Sequence, residues 1–209
     1  MKKNLTLSAA ALAAVIALAG CATDSTTTAG NPSTGSGSSM DHGAMGSSSA
    51  PADSAAAMGH NAADTMFAQS MIPHHAQAVE MSELMLKKQG ADPDVTELAT
   101  RIKAAQAPEI EQMTGWLNGW NESTQVADGH SMSGMMGADD LQALGAAQGK
   151  EADKLFLTQM IAHHKGAVDM AKAEIADGGN SDAIKLSEKI IAAQEAEIKE
   201  MENLLAAAQ

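Results

Sequence analysis

Met71-Ile72-Pro73-His74-His75-Ala76-Gln77-Ala78-Val79-Glu80-Met81 and Met160-Ile161-Ala162-His163-His164-Lys165-Gly166-Ala167-Val168-Asp169-Met170 are two copies of one phrase. Phe67 and Phe156 stand four residues ahead of the two opening methionines. Phe67, Met71, His74, Ala78, Met81 and Met85 follow one another at spacings of four and three, the stripe of a helix that buries one face. Phe156, Met160, His163, Ala167 and Met170 repeat it. A duplication that preserves imidazole and thioether at the same offsets predicts two related halves, each expected to hold metal.

Working outward, Gly90 with Asp92-Pro93 ends the first helix, and Gly178, Gly179 and Asn180 end its counterpart. A second pair of helices reads from Val95 to about Trp120 and from Asp182 to about Ala208. Ile102, Gln106, Ile110 and Met113 in one match Ile190, Gln194, Ile198 and Met201 in the other. The repeat is therefore a whole helical hairpin, with a period of about 90 residues and a one-residue slip in its turn. One amphipathic hairpin cannot bury its own apolar face, so two of them predict an all-α, four-helix bundle with a pseudo-twofold axis. The hairpins span about 64–120 and 150–208, joined by a Gly, Ser and Met loop over 121–149 that holds a short helix near Asp139 to Ala147. Pro73 and Pro108 have Ala162 and Ala196 as counterparts, so the first hairpin is expected to be the less regular one.

The N-terminus has a different character. Lys2 and Lys3 precede an apolar stretch from Leu5 to Ala19 that is too short for a mature membrane span, and Leu18-Ala19-Gly20-Cys21 closes it like a lipobox. Residues 1–20 are thus read as a lipoprotein signal peptide and Cys21 as the lipidated first mature residue, anchored stably by two or more acyl chains. Residues 21–63 are Ser, Thr, Gly, Ala and Pro with almost no large apolar side chain, the composition of a flexible, disordered tether. The folded part is 64–209.

Cys21 is the only cysteine, so once it is lipidated neither disulfides nor thiolate ligands are available. An exported metal protein of this composition must use His, Met and carboxylates. With 13 basic against 26 acidic residues the chain lacks the clustered cations that phosphate binding needs, which excludes nucleic acid as a partner class. There is no His-Glu-x-x-His, Gly-x-Ser-x-Gly or phosphate loop, and the chain is read as a non-enzyme.

A methionine stripe by itself fills cores, and a lone histidine on such a stripe is more often a hydrogen-bonded core residue than a ligand. The combination is more specific: paired histidines twice, with methionines at matching offsets, plus Met and His in segments that have no core to fill. Met40, His42, Met45, Met58 and His60 fall in the tether. His130, Met132, Met135 and Met136 fall in the inter-hairpin loop. Soft thioethers with imidazoles suit copper, especially Cu(I). Di-iron and di-manganese bundles require Glu-x-x-His, absent from both copies, and zinc has no use for methionine. Glu80 and Asp169 read as solvated helix-face charges.

The doubled Met-Ile-x-His-His…Ala-Val-acid-Met phrase closely resembles the CopM-like family, long known as a domain of unknown function, over about Asp64 to Leu205. That resemblance implies a ferritin-like four-helix bundle exported to the cell envelope, with relatives that bind copper and support copper resistance. It carries Met71, His74, His75 and Met81 over as metal ligands in the first half, and Met160, His163, His164 and Met170 in the second. The expected protein is an envelope lipoprotein on the extracytoplasmic side of a membrane. It buffers copper or passes it to copper-handling envelope proteins, with the tether and loop residues as auxiliary ligands. A metal-independent helical interaction module is the alternative.

Overall fold

The computed structural model describes residues 59–126 and 132–208. Cys21, Met40, His42, Met45, Met58 and His130 lie outside the described residues, as do the expected signal peptide and most of the expected tether. Five helices follow in chain order: α1 Ala62–Met85, α2 Pro93–Trp120, α3 Ala138–Ala146, α4 Gly149–Asp177 and α5 Ser181–Ala207. Among the described residues there is no strand, and no helix is long and apolar enough to cross a membrane.

The four long helices are the two hairpins anticipated from the repeat. α1 packs on α2 and α4 on α5, and α1 and α4 then meet as the inner pair; the short α3 lies against both inner helices. His163 follows His74 by 89 positions, whereas the cap residue Asn180 follows Asp92 by 88, which is the slip in the turn. Asp92 caps α2 through the Asp94 amide with Pro93 in the first turn, and Asn180 caps α5 through the amides of Asp182 and Ala183. Contrary to the expected irregularity, α1 runs unbroken through Pro73 and α2 through Pro108. The long packed interface between them holds the helical path although each proline removes one backbone donor.

Two apolar clusters fill the bundle. One contains Met81, Met85, Leu98, Ile102, Phe156, Leu157, Met160 and Met201, and the other Phe67, Met71, Met113, Leu117, Trp120, Ala167 and Ile190. Each draws on both hairpins.

Each half also completes the turn of the other. The carboxylate of Asp64, at the start of α1, accepts from the amides of Gly179 and Asn180 in the second hairpin's turn, at 3.1 and 2.8 Å. Its repeat partner Asp153, at the start of α4, accepts from the Asp92 amide in the first hairpin's turn at 3.2 Å. Asn180 Nδ2 donates to the Gly59 carbonyl, and Gly149 N to the Gln89 carbonyl. The inner helices are therefore antiparallel, tied head to tail at both ends.

The first of these ends has an asymmetry. Glu174, where the first half has Met85, is buried beside Asp64, and the Asp64 carboxylate is the partner within its reach. Burial, and after it the neighbouring Asp64, push the Glu174 carboxyl up to about 8. Burial opposes ionisation of Asp64 as well, but hydrogen bonds from Glu174 and from the Asn180, Asn61 and Gly179 amides outweigh it and hold that carboxyl below its ordinary value. A raised carboxyl pKa means the folded state keeps a proton the unfolded chain has lost. The associated stability is full below the unfolded value near 4.5 and is lost as pH rises through about 8. Glu174→Gln is expected to change the urea midpoint little at pH 5 and to raise stability at pH 8 by about 2 kcal/mol, because the amide keeps a donor toward Asp64 and has no proton to lose.

His60 departs from the reading of residues 21–63 as a tether. Its ring is 4% exposed, stacked on Trp120 with centroids 4.4 Å apart and planes 2° from parallel, and its Nε2 lies 3.4 Å from Glu122. Low-complexity composition hid this because the partner surface, the C-terminal end of α2, is distant in sequence. The packed part of the chain begins by Gly59.

Candidate metal centre

Helical periodicity puts Met71, His74, Ala78 and Met81 on the buried face of α1 and Met160, His163 and Ala167 on that of α4. Glu80 and Asp169 are exposed, as their spacing suggested. Because α1 and α4 are antiparallel and cross near their middles, the two paired histidines meet. The rings of His74 and His163 lie 3.7 Å apart between centroids, tilted by 38°, and His164 is 6.4 Å from His163. His74, His75 and His164 are fully buried and His163 is 1% exposed.

The expected half-by-half grouping is not how these residues assemble. The histidines form one layer to which both halves contribute. The methionines flank it in crossed pairs: Met71 shares an apolar cluster with the half-buried Met170, and Met81 with Met160. Periodicity fixes which face is buried but not which helix that face meets.

Three of the four rings are anchored through Nε2. His75 donates to Glu109 of α2 and His164 to Glu197 of α5, both at 2.8 Å, and His74 donates to the Ser133 carbonyl at 3.1 Å. Nδ1 of each is buried without a hydrogen-bond partner among the described residues. His163 differs, with neither Nδ1 nor Nε2 partnered there. Gln106 and Gln194, at matching repeat positions on α2 and α5, are buried with unpartnered amide atoms. A buried polar atom left unpaired costs about 1–3 kcal/mol, and so many among the described residues of a small bundle call for an explanation such as a ligand.

The electrostatics point the same way. Burial lowers the His74 pKa to about 4 despite the opposing Ser133 carbonyl. Burial, and then the neighbouring His74, His164 and His75, lower that of His163 to about 2. Both rings are neutral at pH 7, the state in which imidazole ligates metal. Between these values and 6.5 the unfolded chain binds protons that the folded one refuses. This stability is therefore full above about pH 6.5 and is lost as pH falls toward 4 and below. In Glu174→Gln, which removes the opposing carboxyl titration, the copper-free protein is expected to show a lower urea midpoint at pH 5 than at pH 7, a difference that shrinks when His74→Leu is added.

The inter-hairpin loop is part of this layer. Gln77 of α1 donates to the Met136 carbonyl at 3.0 Å and accepts from its amide at 2.7 Å. Gly134, at φ 82°, lies directly on Gly166 of α4, where a Cβ would come within 2.0 Å of the Ser133 oxygen. Met132, Met135 and Met136 are half-buried, and Met136 packs on the cluster holding Met81 and Met160. The expectation that these methionines have no core to fill is corrected for Met136: Gly166 lets the loop backbone reach α4, and Gln77 fastens it.

Among the described residues no three His, Cys, Asp or Glu side chains converge as a metal cage. Met71, Met81 and Met160 are buried on the same helix faces as these histidines. Glu109, Glu197, Gln77, Ser133 and Gly166 were not singled out from sequence. The two glutamates were legible, since Gln106-Ala107-Pro108-Glu109-Ile110 and Gln194-Glu195-Ala196-Glu197-Ile198 repeat the same register. The contacts of Gln77, Ser133 and Gly166 left no sequence signal.

Comparison with known proteins gives consistent relatives. The family model described as "Domain of unknown function (DUF305)" matches residues 64–205. A DUF305 protein from Streptomyces coelicolor, described as secreted, is 35% identical, with a TM-score of 0.67 over 70% of this chain and 92% of its own. A DUF305 fragment from Deinococcus radiodurans is 28% identical, with a TM-score of 0.64 over 70% and 97%. The structure of CopM in its Cu(I)-bound form is 32% identical, with a TM-score of 0.60 over 69% and 96%. No curated protein matches.

Proposed function

The chain belongs to the DUF305 family, and we propose that it is an exported copper-binding protein that buffers the metal or passes it on, without catalysing a reaction. The observation that carries this reading is the contact of His163 with His74 from the other half, His163 being a buried imidazole whose nitrogens make no well-formed hydrogen bond among the described residues. Support comes from CopM, which has been solved with Cu(I), Cu(II) and silver bound and is 32–33% identical to this chain. His74, His75, His163 and His164 would supply imidazole donors, and Met71, Met81, Met160 and Met170 thioethers. Bound copper would supply a soft Lewis acid; the protein supplies the neutral rings of His74 and His163 and a buried setting. The thioether content favours Cu(I).

Export is supported by the N-terminal pattern and by the relative described as secreted. In this proposal Cys21 carries the lipid anchor, and Met40, His42, Met45, Met58 and His130 capture copper ahead of the bundle. His60, packed on Trp120, is not counted among them.

The test is competitive Cu(I) titration of the full chain, with zinc as control, beside a variant carrying alanine at His74, His75, His163 and His164. Wild type is expected to bind Cu(I) and to gain thermal stability with it, since a ligand of the native state raises the midpoint. The variant, helical by circular dichroism, is expected to lose the tightest binding event. Absence of any copper-dependent stabilisation of wild type would leave the metal-independent interaction module.

A further inference from the structure

Glu109 and Glu197 sit at matching positions on the two outer helices, and each holds Nε2 of a histidine on the adjacent inner helix at 2.8 Å. The equivalence spans the duplication: His75 and His164 occupy the same place in the phrase, and each glutamate follows a buried glutamine by three residues. Both rings are fully buried, whereas the glutamate side chains are 23% and 18% exposed. The carboxylates therefore reach the rings from the rim of the bundle and keep contact with water.

We propose that Glu109 and Glu197 are positioning residues that fix His75 and His164 in the Nε2–H tautomer and so make Nδ1 the ligating atom of each. A carboxylate only accepts, so the shared hydrogen must belong to Nε2. In the neutral ring Nδ1 then carries the lone pair, and it is Nδ1 that lies buried and, among the described residues, unpartnered in both. The Ser133 carbonyl fixes His74 in the same way, leaving its Nδ1 free as well. Three rings are thus preset by a bond on Nε2. His163 differs, since neither of its nitrogens makes a well-formed hydrogen bond among the described residues. Hydrogen bonds of this kind orient metal-bound imidazoles and raise their basicity. A purely structural ion pair would fix the same two distances but would assign no role to Nδ1.

The inference rests on the copper reading of the histidine layer, and its first arm needs no metal. In the copper-free, 15N-labelled full chain, two-bond proton–nitrogen correlation spectra are expected to show His75 and His164 wholly as Nε2–H tautomers. In Glu109→Gln the His75 pattern is expected to become a mixture, because an amide can donate to the ring as readily as accept, while His164 stays as it was; Glu197→Gln should do the reverse. Cu(I) affinity is expected to fall about tenfold in each variant and about a hundredfold in the pair, the range seen when such partners are removed. Glu80→Gln, at an exposed carboxylate on α1, should change neither. An Nδ1–H tautomer in wild type, or a double variant that binds Cu(I) as wild type does, overturns the proposal. If wild type takes up no Cu(I), the copper reading fails by itself, and the tautomer spectra still decide whether the glutamates set the rings.

Discussion

His163→Leu is expected to make the copper-free protein more stable while removing its tight copper binding. The residue is 1% exposed, and neither nitrogen makes a well-formed hydrogen bond among the described residues, a poor approach to the His74 backbone being all that opposes burial. Burial and three neighbouring histidines depress its pKa to about 2, so the charged form is unavailable near neutrality. Leucine has nearly the same volume and no polar atom to strand. Relief of the two unpaired nitrogens predicts a gain of about 1–3 kcal/mol in urea denaturation at pH 7. The same change should weaken Cu(I) binding by at least tenfold in competition titration, the trade expected where a site is held at the expense of stability. Loss of stability in His163→Leu would instead make this ring a satisfied structural residue, and the argument for a metal layer would lose its central support.

Gly166→Ala is expected to cost about 3 kcal/mol, within the range for overpacking a tight contact. The added methyl would lie 2.0 Å from the Ser133 oxygen and 3.1 Å from Gly134 Cα. Those are backbone atoms, so no side-chain rotation relieves the clash and the loop must lift. Lifting it breaks the bond from His74 to Ser133 and strains the paired bonds between Gln77 and Met136. The loss should appear as a lower melting temperature together with faster amide exchange at Met136. Gly119→Ala, where an added Cβ meets nothing within 4 Å, is the matched control and should not destabilise.

The contrast between these glycines shows what the chain makes legible. Gly166 lies inside the repeated phrase but carries no helix-breaking consequence within α4, so its importance depends on a loop some thirty residues earlier in sequence. The helices were legible because Phe67, Met71, His74 and Ala78 alternate at helical spacing and because Asp92-Pro93 and Asn180 carry capping chemistry that needs no tertiary information. Pairing was not legible: the stripe that made His74 and Met71 neighbours on α1 was silent about His163. His60 was misread for a related reason, since a buried place against Trp120 cannot be inferred from a stretch whose own composition is polar and small. Glu109 and Glu197 were within reach, because aligning the outer helices on Ile102 and Ile190 puts both glutamates in one register.

The crossing of the two copies bears on how such a gene could arise. Asp64 closes the turn between α4 and α5, Asp153 closes the turn between α1 and α2, and the closest imidazole contact joins His74 to His163. A gene encoding one hairpin would make a product with an uncapped turn and half of a histidine pair, and two such products related by a twofold axis would repair both defects at once. Duplication followed by fusion would then make that partnership permanent at any cellular concentration. It would also free the copies to diverge, so that Glu174 and Met85, or Gly166 and Gln77, could take up different duties at positions that began as the same residue.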